Sequence, residues 1–240
     1  MNKTSLVLRV CKSDLTSHYG KFQWPSEIGA EVVAPDWKPT NDCGNGLHGW
    51  LHGGGDYVSS KYCLDPNSVW LVLEVVTTDI IDLDGLCKFP KAVIRFVGTK
   101  SEAAEYVIAN DPEANPSAII GVFREVGDYQ SVMVGVLGTA IAEYGGTAIA
   151  GDHGKAVAGD RGTAIASKYG TATTGRYGTA SVGCHGAALA GSGGEIHIRY
   201  YDYSYGSDRH RTAIGYVGEN GIKPDVLYQL NNNHEFVKVG

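Results

Sequence analysis

Glycine returns every eight residues along the middle of this chain, at positions 138, 146, 154, 162, 170, 178, 186 and 194. Between these glycines stand GTAIAEYG, GTAIAGDH, GKAVAGDR, GTAIASKY, GTATTGRY, GTASVGCH and GAALAGSG, and QSVMVGVL from Gln130 fits the same frame. Such strict self-similarity marks a repeat architecture. Helix is excluded, because each interior glycine would cost it about 1 kcal/mol. The four residues after each glycine alternate in the manner of a short strand. At corners the glycines are expected to supply φ > 0. Eight residues cannot enclose a core, but two facing strands can. One coil is therefore expected to take sixteen residues, with successive octapeptides alternating between two parallel sheets. Four coils stacked about 4.8 Å apart would give a rod of roughly 19 Å.

Two of the four strand positions are nearly always alanine, as in Ala140/Ala142, Ala148/Ala150, Ala156/Ala158 and Ala164/Ala166. A two-sided roll is thin, so these are placed inside. Rows of Thr then face outward beside Ile141, Ile149, Val157 and Ile165, which are expected to form a contact surface. The reverse packing, isoleucine in and alanine out, is the competing arrangement. The fold class expected is an α+β N-terminal domain over residues 1–128, a two-sided parallel β-solenoid over 129–194, and a C-terminal β cap over 195–240. In the first, TSLVLRVCK, SVWLVLEVVTTDIIDLDG and AVIRFVG suggest strands, and SEAAEYVIAND a helix starting at Ser101. In the last, EIHIRYYDY, RTAIGYVG, LYQL and EFVKV suggest strands, with Tyr200, Tyr201, Tyr203 and Tyr205 sealing the coil end.

Composition narrows the function classes. The formal net charge is −6 and Lys/Arg never cluster, so phosphate-neutralising nucleic-acid binding is not expected. The five cysteines are odd in number and widely spaced, which favours reduced thiols and a cytoplasmic location. The first residues lack the apolar core of a secretion signal, and no apolar run approaches the roughly 18 residues of a membrane helix.

Chemistry, if the chain has any, is expected in Asp42-CGNGLHGWLHGGGD-Tyr57. Its glycines would let a ligand approach backbone N–H groups. Asn45, Gly46, His48, Trp50 and His52 are the candidate ligand-binding residues. Trp37, with Trp24, is a second aromatic wall. A glycine-rich loop that merely packs its His and Trp into a core is the competing reading. Cys43-x4-His48-x3-His52, completed by Cys63 or Cys87, has residue types that zinc accepts, yet no CxxC is present and no metal or cofactor is expected. Asp152 and Asp160 alone occupy turns of the repeat, too few for a calcium ladder. Glu74, inside LVLEVV, is either a paired structural residue or part of an ADP-ribosyl-transfer-like pocket with the His48 region.

The segments PDW (Pro35–Trp37), CGNGLHGW (Cys43–Trp50), the octapeptide run from Gly138 and YVGENGIKPDVLYQL (Tyr216–Leu230) resemble an uncharacterised family of phage and bacterial proteins with the same order of parts. CGNGLHGW is also similar to segments of phage rapid-lysis-type proteins. The TAIAG and TATTG units resemble the sixteen-residue coils of ice-nucleation proteins, whose Thr-x-Thr rows are matched here at Thr171/Thr173 alone. The Gly/His/Trp loop, the absence of a recognisable catalytic set and the phage resemblance together point to a non-enzymatic binding protein of an infected or lysogenic cell, although the resemblance by itself implies no activity. Its partner would be a small, nucleotide-derived host defence signal. A structural, oligomerising or adhesin-like solenoid and an ADP-ribosyltransferase-like enzyme are the alternatives. A homo-oligomer suits all three.

Overall fold

The structure, a computed structural model, describes residues 3–17, 22–204 and 209–239. It divides into two compact units, Met1–Val122 and Phe123–Gly240.

The first unit is a seven-stranded antiparallel sheet. Its strands are β1 (Thr4–Cys11), β2 (Glu31–Val33), β3 (Leu47–Leu51), β4 (Val69–Val76), β5 (Ile81–Asp82), β6 (Cys87–Phe89) and β7 (Lys91–Gly98), in the order β2-β7-β4-β1-β3-β6-β5. β1 and β4 are the central pair and are in register from Thr4↔Val76 to Cys11↔Val69. Both are rich in Leu and Val, as strands buried on two faces must be. Val7, Leu71, Leu73, Phe89, Ile94 and Trp24 pack together in one core. Helix α1 (Lys100–Asn110) packs on β1, β4 and β7, burying Ala103, Ala104 and Val107. It begins one residue before the Ser101 start expected from sequence. Thr99 is the cap, and the Glu102 carboxylate accepts from its N–H at 3.0 Å and its hydroxyl at 2.6 Å.

The second unit is the β-solenoid, five coils of about sixteen residues. One sheet stacks β8 (Phe123–Val126), β10 (Thr139–Ala142), β12 (Lys155–Ala158), β14 (Thr171–Thr174) and β16 (Ala187–Ala190). The other stacks β9 (Ser131–Val134), β11 (Thr147–Ala150), β13 (Thr163–Ala166), β15 (Thr179–Val182) and β17 (Glu195–Asp202). Neighbours are parallel and shifted by one coil, as in Thr147↔Thr163 and Ala148↔Ala164. Ala140, Ala148, Ala156, Ala164, Ala172, Ala180 and Ala188 are fully buried, so alanine points in and Thr and Ile point out. The roll has five coils and not four because β8 and β17 pair in the same register without carrying the octapeptide signature.

The repeat glycines have a different job from the one expected of them. The left-handed corner residue is the one before each glycine: Leu137, His153, Arg161, Tyr169, Tyr177 and His185 have φ between 53° and 62°. A Cβ on Gly154 would stand 2.8 Å from Ala150 Cβ and 3.0 Å from the carbonyl oxygen of Gly138, one coil earlier. Gly170 repeats this against Ala166 and Gly154. The octapeptide glycine is there for close approach between coils, while the strained corner is held mostly by larger residues, at about 1–2 kcal/mol each. Stacking offsets part of that cost. The His153 and Tyr169 rings lie 4.8 Å apart and those of Tyr169 and His185 5.1 Å apart, both nearly parallel. Turn aspartates tie the coils further. Asp128, Asp152 and Asp160 each accept the backbone N–H sixteen residues on, from Tyr144, Lys168 and Arg176.

The C-terminal edge of each sheet is covered by an antiparallel strand. β18 (Arg209–Tyr216) pairs along β17, and β19 (Tyr228–Leu230) pairs on β16, with β20 (Phe236–Lys238) outside it. This answers the exposed-edge problem of a solenoid. The tyrosines expected to seal the coil do not: Tyr203 is exposed, Tyr200 stacks on His234 and Tyr201 stacks on Tyr203. Tyr205 lies outside the described residues. The buried tyrosine is Tyr228, whose hydroxyl accepts from Lys223 N–H at 2.8 Å.

Candidate functional site

A cavity of about 610 Å³ opens in the first unit, lined in part by Arg9, Trp24, Asp36, Asn45, Gly46 and His48. The stretch expected to be a glycine-rich loop is only half loop. Gly44, Asn45 and Gly46 have φ of 96°, 51° and 154°, a turn that Gly and Asn tolerate. Leu47–Leu51 is strand β3, paired with β1 and β6. Period-two alternation of Leu47 and Leu51 with His48 and Trp50 carried that signal, obscured by the glycines. Gly49 is required there, since a Cβ would lie 2.4 Å from Val7 Cγ1.

Lys88 holds the turn from beneath. It is fully buried, and its ammonium donates to the carbonyl oxygens of Asp42 at 2.6 Å and Gly44 at 3.3 Å and to Thr40 Oγ1 at 3.4 Å. His48 Nε2 accepts from Gly44 N–H at 3.2 Å. Burial, then the neighbouring charge of Arg9, hold its pKa below the ordinary histidine value, which keeps the imidazole neutral.

The other candidates are placed differently. Trp50 lines the cavity but is 2% exposed, stacked on Trp70 and donating Nε1–H to Asp56 O at 2.9 Å, so it is a core residue with no face to offer a base. Trp37 packs behind the turn, where a Cβ on Gly46 would touch its ring at 2.9 Å. His52 belongs to another cluster, its Nδ1 2.7 Å from Asp111 Oδ2. Glu74 is paired with Arg95 through two contacts of 2.9 and 3.1 Å and lies outside the cavity. Among the described residues no three His, Cys, Asp or Glu gather as a metal would need. The Cys63 and Cys87 thiols are pushed up to about 12 by burial, and Cys43 is exposed. Also among the described residues, no helix is long and apolar enough to cross a membrane.

The residue that sequence reasoning missed is Arg9. Its signal was present: one cation in the middle of the apolar run TSLVLRVC. Its guanidinium lies 4.7 Å over the Trp24 ring and donates from Nη1 to His48 O at 2.6 Å and from Nη2 to Ser17 Oγ at 3.2 Å.

The second unit offers surfaces instead of a cavity. Ile149 and Ile165 sit on the β9–β17 sheet and Ile141 and Val157 on the β8–β16 sheet, so the four residues expected to form one interface occupy two faces. The first face is uncharged across β11, β13 and β15, with Thr147, Thr163 and Thr179 in one row and Ile149, Ile165 and Ser181 in the other. The second carries Lys155 at its middle.

Residues 5–109 match a family described as a domain of unknown function, DUF7666, and residues 152–198 match another, DUF4774. Among curated proteins, an ice nucleation protein of Xanthomonas campestris pv. translucens is 36% identical over 109 residues, 45% of this chain and 7% of that protein. One from Pseudomonas fluorescens is 38% identical over 107 residues, covering 44% and 8%, and one from Pseudomonas syringae is 34% identical over 116 residues, covering 48% and 10%. The chain thus spans a tenth or less of the length of these relatives. No solved structure matches. These relatives overturn the expectation of a phage protein that sequesters a nucleotide signal, and the burial of Trp50 and the diversion of His52 to Asp111 remove two of the groups meant to hold one. The chain is similar instead to repeat-containing proteins of uncharacterised domain families and, over nearly half its length, to ice nucleation proteins.

Proposed function

We propose that this is a structural solenoid protein whose working surface is the uncharged β11–β13–β15 face, and that this face associates with a second copy of the chain. The observation that carries the proposal is the two-row pattern on an in-register parallel sheet. Thr147, Thr163 and Thr179 run beside Ile149 and Ile165 without a charge between them, and Ile165 is 38% exposed. An apolar row held in register and free of charge is what one copy can offer another at low desolvation cost. The opposite face, interrupted by Lys155, is a poorer match to itself. The capped C-terminal edges favour association through faces over strand addition at that end. Light scattering over a concentration series tests the reading. The native chain should associate, and Ile149→Thr with Ile165→Thr should lower its mass toward the monomer. A native chain that stays monomeric throughout would remove the proposal.

A second reading is favoured by the relatives named ice nucleation proteins: the same rows order water. Threonines repeating about every 4.8 Å present hydroxyls in a regular array. Droplet freezing separates the two. Under the associating reading, droplets with the protein freeze at the temperature of buffer alone. Under the second they freeze several degrees warmer.

A further inference from the structure

We propose that the N-terminal unit binds a small organic monocarboxylate, with the carboxylate received at Arg9 and the apolar body lodged against the apolar wall of the cavity. This does not depend on the surface reading of the solenoid.

Arg9 is a half-buried cation that reaches the cavity without a carboxylate partner among the described residues. Its Nε is buried with no hydrogen-bond partner. Its donors at Nη1 and Nη2 reach a carbonyl and a hydroxyl, both neutral. Among the described residues no carboxylate comes within salt-bridge distance of it. Burial lowers its pKa, partly opposed by hydrogen bonding to the neighbouring Cys11 thiol, which burial itself keeps neutral. The same unit handles Arg95 in the ordinary way, with both carboxylate oxygens of Glu74. A half-buried guanidinium next to an open cavity is an arrangement that an arriving anion relieves.

The cavity fixes the rest of the ligand. About 610 Å³ is the size of a small-molecule site. Phe22, Pro35 and Leu86, all at least partly exposed, give it an apolar wall, with Val10 and Trp24 buried behind them. Its charges favour a single negative charge. Among the described residues Arg9 is the one guanidinium in the lining, His48 is held neutral, and Asp36 adds a carboxylate that would repel a phosphate dianion. Gly49 adds no side chain to the lining at the strand position next to His48.

The experiment uses the full chain and four probes: indole-3-acetate, its uncharged methyl ester, benzoate and inorganic phosphate. Titration calorimetry should give saturable binding of the acid, with the ester at least about tenfold weaker and phosphate failing to compete at equal concentration. Arg9→Gln should weaken the acid by roughly ten- to a hundredfold at unchanged far-UV circular dichroism. Asp36→Asn, at an exposed position, should tighten it about twofold to threefold. The proposal is overturned if acid and ester bind equally or phosphate competes. It is equally overturned if folded Arg9→Gln binds like the native chain, or if neither the acid nor benzoate saturates by roughly 10 mM. If Arg9→Gln fails to fold, the acid–ester comparison on the native protein decides alone.

Discussion

The N-terminal unit buries Trp24, Trp70, Phe89, Leu71 and Leu73, each at 0–1% exposure, in a sheet whose strands differ in length and neighbour. In the solenoid, every interior strand position from Ala140 to Ala190 is alanine except Thr174 and Val182. The first core depends on a few large side chains that fill irregular space. The second depends on the absence of side chains, with coils drawn together until a glycine is the only residue that fits between them. The first therefore breaks on truncation and the second on enlargement. The same contrast underlies the two proposals: an irregular sheet leaves a cavity, while the thin roll presents its faces.

Three substitutions and a pH series sharpen that contrast, and all four tryptophans, at 24, 37, 50 and 70, make fluorescence a private reporter of the first unit. The largest effect is expected from Leu73→Ala, at about 3–4 kcal/mol, read as a lowered denaturation midpoint in tryptophan fluorescence. Gly154→Ala should destabilise the roll by about 2–3 kcal/mol, because its Cβ meets backbone that cannot yield. Far-UV circular dichroism should register that loss, with the tryptophan midpoint left in place. Thr174→Val should raise roll stability by about 1 kcal/mol, since Thr174 Oγ1 is buried without a partner and valine occupies the matching position at 182. A lowered midpoint would show that the hydroxyl has a role the geometry conceals.

The smallest separation is in pH. His48 has its pKa depressed in the folded unit, so its neutral form is favoured there and its contribution is intact above the unfolded value of about 6.5. That contribution is lost as pH falls below 6.5, and the tryptophan midpoint should begin to drop there. The C-terminal cap behaves otherwise. The backbone N–H and side chain of Ser204, then Arg211, hold Asp202 down to about 2. Its stabilisation is present above the unfolded value of about 3.9 and is lost as pH falls from there toward 2. The protection factors of β17 and β18, their exchange rates corrected for the intrinsic pH dependence, should therefore stay constant to about pH 4 and fall only below it.

Legibility in the sequence followed the same division. Repetition wrote the solenoid seven times over, so strand positions, coil length and the inward alanines could be derived from one unit. It failed at the ends, where Phe123–Val126 and Glu195–Ile198 join the ladders through backbone pairing that needs no particular side chain. It also failed for the glycines, because close approach and positive φ both favour glycine and only coordinates tell them apart. In the first unit, β1, β4 and β7 were visible as apolar runs, but β3 was hidden by glycines that a loop would equally use. The cavity was sought in the right stretch, and Asn45, Gly46 and His48 do line it. Its charged residue was missed because Arg9 lies 39 positions from His48, and nothing local to either shows that the sheet brings them together.

Sedimentation equilibrium of the full chain beside two single-lysine variants tests the surface assignment most directly. Ile165→Lys puts a charge in the middle of the uncharged face, and Val157→Lys adds one to the face that already carries Lys155. The account predicts that the native chain and Val157→Lys associate while Ile165→Lys sediments as a monomer with unchanged tryptophan emission. Equal association of both variants, or a native chain monomeric to about 100 µM, would contradict it.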